Sequence, residues 1–464
     1  GPESCNTYNM LKLTEDLFRD QPAAKYMDYY ERATFNHIRS TQHPEHGGYV
    51  YFTSARPRQH RKYSAPNMAM WCCVGTGMEN HGKYNQMIFT HSKDSLFLNL
   101  FIASQLNWKE KGVEIKQETN FPYEEQTKLT ITKGASEFNL LVRYPGWVSE
   151  GALKILINGK EFKYNAKPSS YVSIDRKWKK GDEVQVLLPM KNTIERMNNV
   201  PDYIAIMHGP ILLGAKSGTE DMGNLIAGDG RFDQYTGGKM LPIDKAPILI
   251  DNDIENLDKK LEPIEGKPLN FKLKVKTINP IENLVLEPFY QIHDSRYQIY
   301  WLSLTDNRYE QYIDSLSKSE EERLALDSRT IDKVNTGEQQ PETDHRMQSE
   351  NSRTGNNFDE MYREAGREGF FSYDMVTNGE KDLKLHVRYW GAEWGSRKFE
   401  IYIDDEKLVT EDNTNKWNQS QFQNVEYSIP NAMVEGKEHI RVKFKALPYS
   451  TAGGVYYVRL VRNK

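Results

Sequence analysis

The sequence predicts a mainly β protein, with a short helical head followed by about three β-sandwich domains. Three observations carry that expectation. Apolar residues recur at helical spacing up to about residue 92, and from about residue 94 the period changes to two. At 464 residues the chain is too long for one core and suggests roughly three domains. The 27 tyrosines and 8 tryptophans suit pleated sheets and sugar-stacking surfaces, with strand and core packing accounting for most of them.

In the head, residues 1–93, Asn6 or Thr7 is the candidate cap of a first helix. That helix has Tyr8, Leu11 and Phe18 on one side and Glu15 and Asp16 on the other. Tyr26, Met27, Tyr30, Ala33 and Ile38 repeat at helical spacing in the next segment. A loop rich in Gly, His and Pro (residues 43–48) precedes the aromatic run Tyr49-Val50-Tyr51-Phe52. Cys72-Cys73 then falls on a loop, and Gly75-Thr76-Gly77 leads into a third helix through Met78, Tyr84, Met87 and Ile88. Three helices cannot bury their apolar faces alone, so the head reads as part of a larger helical domain whose N-terminal part lies outside this chain.

The first β-sandwich is expected over 94–193, from Leu96–Ile102, Lys128–Thr132, Phe138–Arg143, Leu153–Ile157 and Val184–Leu188. Asn158-Gly159 is a strong hairpin signal. A second sandwich is expected over 194–305, interrupted by a Gly/Asp-rich loop near 217–239. Residues 306–340 read as an exposed helical connector. The last sandwich spans 341–464, with Leu383–Tyr389, Phe399–Ile403 and Val455–Val458 as strands.

Charge excludes some partners. The 61 basic and 65 acidic residues are well mixed and sum to −4, so neither nucleic acid nor an anionic membrane is an expected partner. No apolar run approaches the ~20 residues of a membrane-spanning helix. The start, Gly1-Pro2-Glu3, lacks an initiator Met and a signal peptide and reads as the start of a piece of something longer, so the missing signal says nothing of compartment. Oligomeric state has no sequence signature here.

All three cysteines lie in the first 73 residues, as Glu3-Ser4-Cys5 and the vicinal Cys72-Cys73. A disulfide framework would spread cysteines through the later domains. Vicinal cysteines rarely bridge, because bridge geometry wants Cα atoms roughly 4.4 to 6.8 Å apart with suitable Cβ directions. Three thiols and one carboxylate therefore read as metal ligands or a reactive site, against the plainer reading of three unrelated buried thiols.

The stretches Glu3-Ser4-Cys5-Asn6-Thr7-Tyr8-Asn9-Met10-Leu11 and Trp71-Cys72-Cys73-Val74-Gly75-Thr76-Gly77-Met78-Glu79 closely resemble the zinc-dependent β-L-arabinofuranosidases of glycoside hydrolase families 127 and 146. Pro201–Pro210 and Pro288–Asp294 resemble them too. The resemblance covers essentially the whole chain, and its C-terminal sandwich leans toward family 146. It implies that the head is the C-terminal portion of an (α/α)6 catalytic barrel. It further implies a retaining mechanism on terminal β-L-arabinofuranosyl groups of plant cell-wall glycans, in a secreted or periplasmic protein. By motif position Cys72 is the nucleophile, Glu3, Cys5, Cys72 and Cys73 form the Zn2+ shell, and Tyr51 lies where the family places a tyrosine near the sugar. The family's general acid/base is a glutamate upstream of Glu-x-Cys, so the chain is expected to be weakly active or inactive. Glu45 and Glu79 are poor substitutes.

Other residues carry less. His43, His46 and His60 read as solvated loop histidines rather than metal or sugar contacts. Trp390, Trp394 and Trp417 form either core or an accessory sugar platform, with core the expectation. Residues 227–233 read as a turn, since the glutamate that closes an EF-hand loop is missing. The rival functions are a hydrolase for another furanoside, a non-catalytic carbohydrate-binding or scaffold protein with structural zinc, and, weakest, a thiol redox protein.

Overall fold

The computed structural model describes residues 2–66, 68–228, 233–357 and 360–463. About 19% of the chain is helical and 42% strand, which bears out the mainly β class with a short helical head. The chain divides into two units, Gly1–Lys318 and Ser319–Lys464.

The first unit opens with α1 (Ser4–Asp20) and α2 (Ala24–Asn36), followed after a long irregular stretch by α3 (Cys72–Asn80). Tyr8, Leu11 and Phe18 of α1 meet Met27 and Tyr30 of α2 in one apolar cluster that also takes in Ile38, Met87 and Ile88. Glu15, expected on the outer face, is instead buried, because the Tyr30 hydroxyl donates to it at 3.1 Å. Burial pushes its carboxyl above the usual range. Arg143 ties the head to the sheets behind it. Fully buried, it donates to Asp28 (2.6 Å), Glu31 (2.5 Å) and the Asn99 carbonyl (2.6 Å). Trp147 Nε1 donates to the same Glu31 at 2.8 Å, so the buried charges leave few lone pairs unmet.

The first β region consists of a four-stranded and a six-stranded sheet. Ala135–Tyr144 pairs antiparallel with Ser170–Lys179 along its whole length, while Ser95–Leu98 runs parallel to Asn139–Val142. Alternate residues of Gln126–Lys133 are buried, as a half-buried strand requires. The hairpin at Asn158-Gly159 is present, with both residues at positive φ (49° and 77°), the conformation a two-residue turn demands. The following ten-stranded sheet is built around Val200–His208, Ile211–Lys216 and Tyr300–Leu304, and Ile248–Ile250 lies parallel to Leu302–Leu304. Its core residues Ile204, Leu213 and Trp301 belong to the same apolar cluster as Val142 and Trp178 of the preceding sheets.

α4 (Asp306–Arg329) accounts for most of the expected connector. Its helix stops there, since Thr330–Asn335 is a strand paired antiparallel with Thr451–Arg462. That strand belongs to the second unit's nine-stranded sheet, whose centre is Glu360–Val376 flanked by His439–Ala446 and Thr451–Arg462. Phe371, Tyr373, Val387, Phe399, Val442 and Phe444 are all fully buried in its core. Among the described residues no helix is long and apolar enough to cross a membrane.

Candidate active site and metal centre

Main-chain stitching at the start of α1 assembles the cysteines. Glu3 is extended (φ −87°, ψ 135°) and bridges Phe52, so the helix begins at Ser4 rather than after Asn6. Ser4 N donates to Tyr51 O at 3.3 Å, Ser4 Oγ to Val50 O at 3.0 Å, and Thr53 N to Pro2 O at 3.1 Å. These bonds fix residues 49–53 against the helix start. The cysteine pair also departs from expectation: Cys72 and Cys73 do not sit on a loop but open α3, with Trp71 as its N-cap. Gly77 explains part of the glycine pattern, because a Cβ there would come within 2.5 Å of the Tyr49 ring. Only glycine lets α3 lie on that ring.

Cys5 thus sits in the first turn of one helix and Cys72-Cys73 in the first turn of another. Both helix N-termini turn their partial positive charge toward the sulfurs, which favours thiolate. Cys5 Sγ lies 3.4 Å from Cys72 Sγ, and Cys72 Sγ lies 3.9 Å from Cys73 Sγ. The three sulfurs are all within 4.8 Å of one another. Cys73 is buried, Cys5 half-buried and Cys72 exposed. With no ion present, burial raises the Cys5 thiol well above its ordinary pKa, and neighbouring Cys73 and Cys72 add to the rise. Burial raises Cys73 as well.

The donor set fits zinc. A tetrahedral ion with Zn–S bonds of ~2.3 Å sets its sulfurs about 3.8 Å apart, close to the separations seen. Glu3 Oε2 lies 3.4 Å from Cys5 Sγ, near enough to be the oxygen ligand, but the carboxylate falls outside the tight group formed by the three sulfurs. The structure therefore brings Cys5, Cys72 and Cys73 together, with Glu3 at the edge.

Tyr51 is at the site. Burial, and then the neighbouring Cys72, raise its hydroxyl above the usual tyrosine range. Its ring lies 4.4 Å from Phe52 and 6.1 Å from Trp71. Glu79 is two turns along α3, where it accepts from the Tyr8 hydroxyl (2.6 Å) and pairs with Lys83 (3.4 Å). Those partners hold its carboxyl below the usual range. Glu45 is exposed in the histidine loop.

The histidines are not solvated, contrary to expectation for His43 and His60, which are both buried. His43 Nε2 bonds Asp294 at 2.8 Å, and its ring stacks on His46 at 3.8 Å. Tyr63 OH meets His293 Nδ1 at 2.8 Å. Residues 290–294 fold back on the head and bury these rings. His60 has no protein partner on either ring nitrogen, and burial pushes it down to about 4. Trp394 is 82% exposed and is not core, whereas Trp390 packs on Phe422 and Trp417 stacks over Tyr389. Of the 227–233 turn, residues 229–232 lie outside the described residues.

Sequence reasoning missed the supporting residues: Trp71, Phe52, and Ala227 from the second β region. Ala69, Trp71 and Ala227 form one buried cluster with Tyr51 and Val74 against it. No local period could report a contact between residues 71 and 227.

Parts of the chain are similar to known proteins. Residues 1–86 match the model of the beta-L-arabinofuranosidase GH127 catalytic domain, and residues 95–190 that of the GH127 middle domain. Residues 193–303 match a domain of unknown function and 325–461 a family of unknown function. A non-reducing end beta-L-arabinofuranosidase of Bifidobacterium longum subsp. longum is 20% identical over 317 residues, covering 58% of this chain and 46% of its own. A solved glycoside hydrolase is 21% identical, covers 65% of this chain and 52% of its own, and gives a TM-score of 0.49. A GH127 beta-L-arabinofuranosidase from Geobacillus stearothermophilus T6 gives 18%, 65%, 50% and 0.45. The chain spans about half the length of the relatives it matches. Over residues 1–190 the chain is thus similar, in series, to the catalytic and middle domains of the GH127 beta-L-arabinofuranosidases.

Proposed function

We propose that this protein is a retaining glycoside hydrolase that releases terminal β-L-arabinofuranose from plant cell-wall glycans, with Cys72 as nucleophile. The observation that carries the reading is the exposed Cys72 sulfur at the mouth of an otherwise sheltered three-cysteine group, beside Tyr51. A saturated set of four protein ligands is the pattern of a structural zinc, so the catalytic reading rests on the accessibility of Cys72.

Cys5, Cys72, Cys73 and, after a small side-chain shift, Glu3 would hold zinc. Bound there, zinc supplies the divalent charge that keeps the thiols ionised at neutral pH and improves the Cys72 sulfur as a leaving group. The Cys72 sulfur attacks the anomeric carbon. The S–C bond forms as the glycosidic C–O bond breaks, and the departing oxygen takes a proton from a carboxylic acid. Water then replaces the sulfur at that carbon and returns its proton to the same carboxylate. Tyr51 orients the sugar over Cys72.

The described residues offer no good candidate for that acid. Glu79 is held ionised by Tyr8 and Lys83, and Glu3 is beside Cys5. The family resemblance assigns the role to a glutamate preceding Glu3, so these 464 residues alone are expected to turn over little. The reading also implies a secreted or periplasmic location.

The test uses the protein in its full natural length, loaded with zinc. Turnover of a β-L-arabinofuranosyl disaccharide should vanish in Cys72→Ser, and quenched wild type should carry a pentosyl adduct on the Cys72 peptide. An adduct on another residue, or full turnover in Cys72→Ser, would refute it.

A further inference from the structure

The segment 217–241 belongs to the region matched only as a domain of unknown function, yet it is anchored to the segment that carries the cysteines. Arg296, fully buried, donates to four main-chain carbonyls: Glu220 and Arg58 at 2.8 Å, Asp221 at 2.9 Å and Lys239 at 2.7 Å. One guanidinium thereby pins both stems of the loop to residue 58. Further along, Tyr63 N donates to Leu225 O and Ala227 N to Tyr63 O, each at 2.8 Å. The buried Lys62 ammonium pairs with Asp233. Ala227 then packs beside Trp71, the residue before the nucleophile.

What the loop delivers is Tyr235. Its ring stacks on Phe52, with centroids 5.2 Å apart and planes at 26°, and the residue is 56% exposed. Phe52 is in turn 4.4 Å from Tyr51, whose ring lies 6.1 Å from Trp71, the residue before Cys72, and it bridges Glu3 through its backbone. An unbroken run of aromatic rings thus leads from the cysteine site to an exposed tyrosine on a different domain. The outer ring of this stacked pair is more than half exposed. Electron-rich ring faces suit the C–H faces of sugars, and concave sites use a few such rings to orient their ligand.

We propose that Phe52 and Tyr235 form the platform for the sugar to which the terminal furanose is attached, making Tyr235 part of the substrate site. The inference rests on the proposed function, because it takes the furanose itself to sit at Tyr51 and Cys72. Tyr235 selects for what lies on the leaving-group side and takes no part in the bond changes.

The experiment compares two substrates on the full-length, zinc-loaded protein: methyl β-L-arabinofuranoside, which has no second sugar, and a β-L-arabinofuranosyl disaccharide. Tyr235→Ala should lower kcat/KM for the disaccharide about tenfold, mainly through KM, and leave the methyl glycoside unchanged. Tyr235→Trp should restore the disaccharide rate. An equal fall on both substrates would show a structural role, and no fall on either would show no role; each result overturns the proposal. If wild type cleaves neither substrate, the proposed function fails by itself. The platform is then judged by titrating the disaccharide calorimetrically into wild type and Tyr235→Ala, where equal affinities, or binding to neither, overturn it.

Discussion

The head around the cysteines and the C-terminal unit treat their buried polar groups in opposite ways. In the head, Thr34, His37, Thr53, His60, Arg61, Asn80 and His81 each bury a side-chain polar atom with no protein partner. Among the described residues of 319–464 only Asn413 and Arg459 do so. There Glu342 is typical: it takes Arg363 Nε at 2.6 Å and Nη2 at 2.5 Å, the Tyr373 hydroxyl at 2.9 Å and Gly337 N at 2.7 Å. Buried polar atoms are almost always satisfied in a fold shaped for stability alone. Seven such residues in the head against two in the C-terminal unit make the head the less satisfied of the two.

The largest expected effect lies in the satisfied unit. Glu342→Gln leaves the Arg363 charge buried without its counter-charge and should lower unfolding free energy by about 3 kcal/mol. Denaturant titration followed by circular dichroism measures it, and a loss under 1 kcal/mol would dissolve the contrast. The head should answer in the opposite direction. Asn80 is 4% exposed with both amide atoms unpartnered, so Asn80→Leu should stabilise by about 1 kcal/mol. Destabilisation there would mean that the amide is satisfied in solution and that the head is ordinary.

A pH series sharpens the comparison further. His345 Nε2 lies 3.0 Å from Asp332. Burial works against the His345 charge, but Asp332 outweighs it and raises the imidazole's pKa. Asp332, likewise opposed by burial, is held below the usual carboxylate range by His345. The raised histidine contributes stability that is full below its unfolded pKa of about 6.5 and fades as pH climbs through the folded value. The depressed carboxylate contributes above its unfolded value of about 3.9 and fades as pH falls through the folded one. The pair therefore helps most between those limits. Wild type should exceed His345→Ala by about 1 kcal/mol more near pH 5.5 than near pH 8.5. A difference that does not vary with pH would contradict the assignment. Smallest of all is Trp394→Ala: at 82% exposure it should shift stability by less than about 0.5 kcal/mol. A larger loss would show that this ring is core after all.

Where period and turn chemistry decide structure, the sequence was readable. The alternation of Lys128–Thr132, the Asn158-Gly159 turn and the burial of Tyr8, Leu11 and Phe18 all follow from local rules. The start of α1 was misread because Glu3 is held extended by a bridge to Phe52, a contact that no local preference encodes. Cys72 and Cys73 open a helix despite the flanking glycines, of which Gly77 is needed where α3 lies on the Tyr49 ring. His43 was misjudged for a similar reason: polar loop composition says nothing of the segment 290–294 whose Asp294 and His293 meet it. At the site, cysteine positions and the Glu-x-Cys motif were legible as donor types. The contacts of Ala227 with Trp71 and of Tyr235 with Phe52 were not, since they span more than 150 positions of chain.

The central claim is that three sulfurs and a carboxylate from two helix starts form one zinc site. Elemental mass spectrometry of the purified chain tests it most directly. The account predicts about one zinc per chain, lost in Cys5→Ser and in Cys73→Ser while circular dichroism of the β domains is unchanged. Zinc that is absent from wild type, or that persists in both variants, would contradict it.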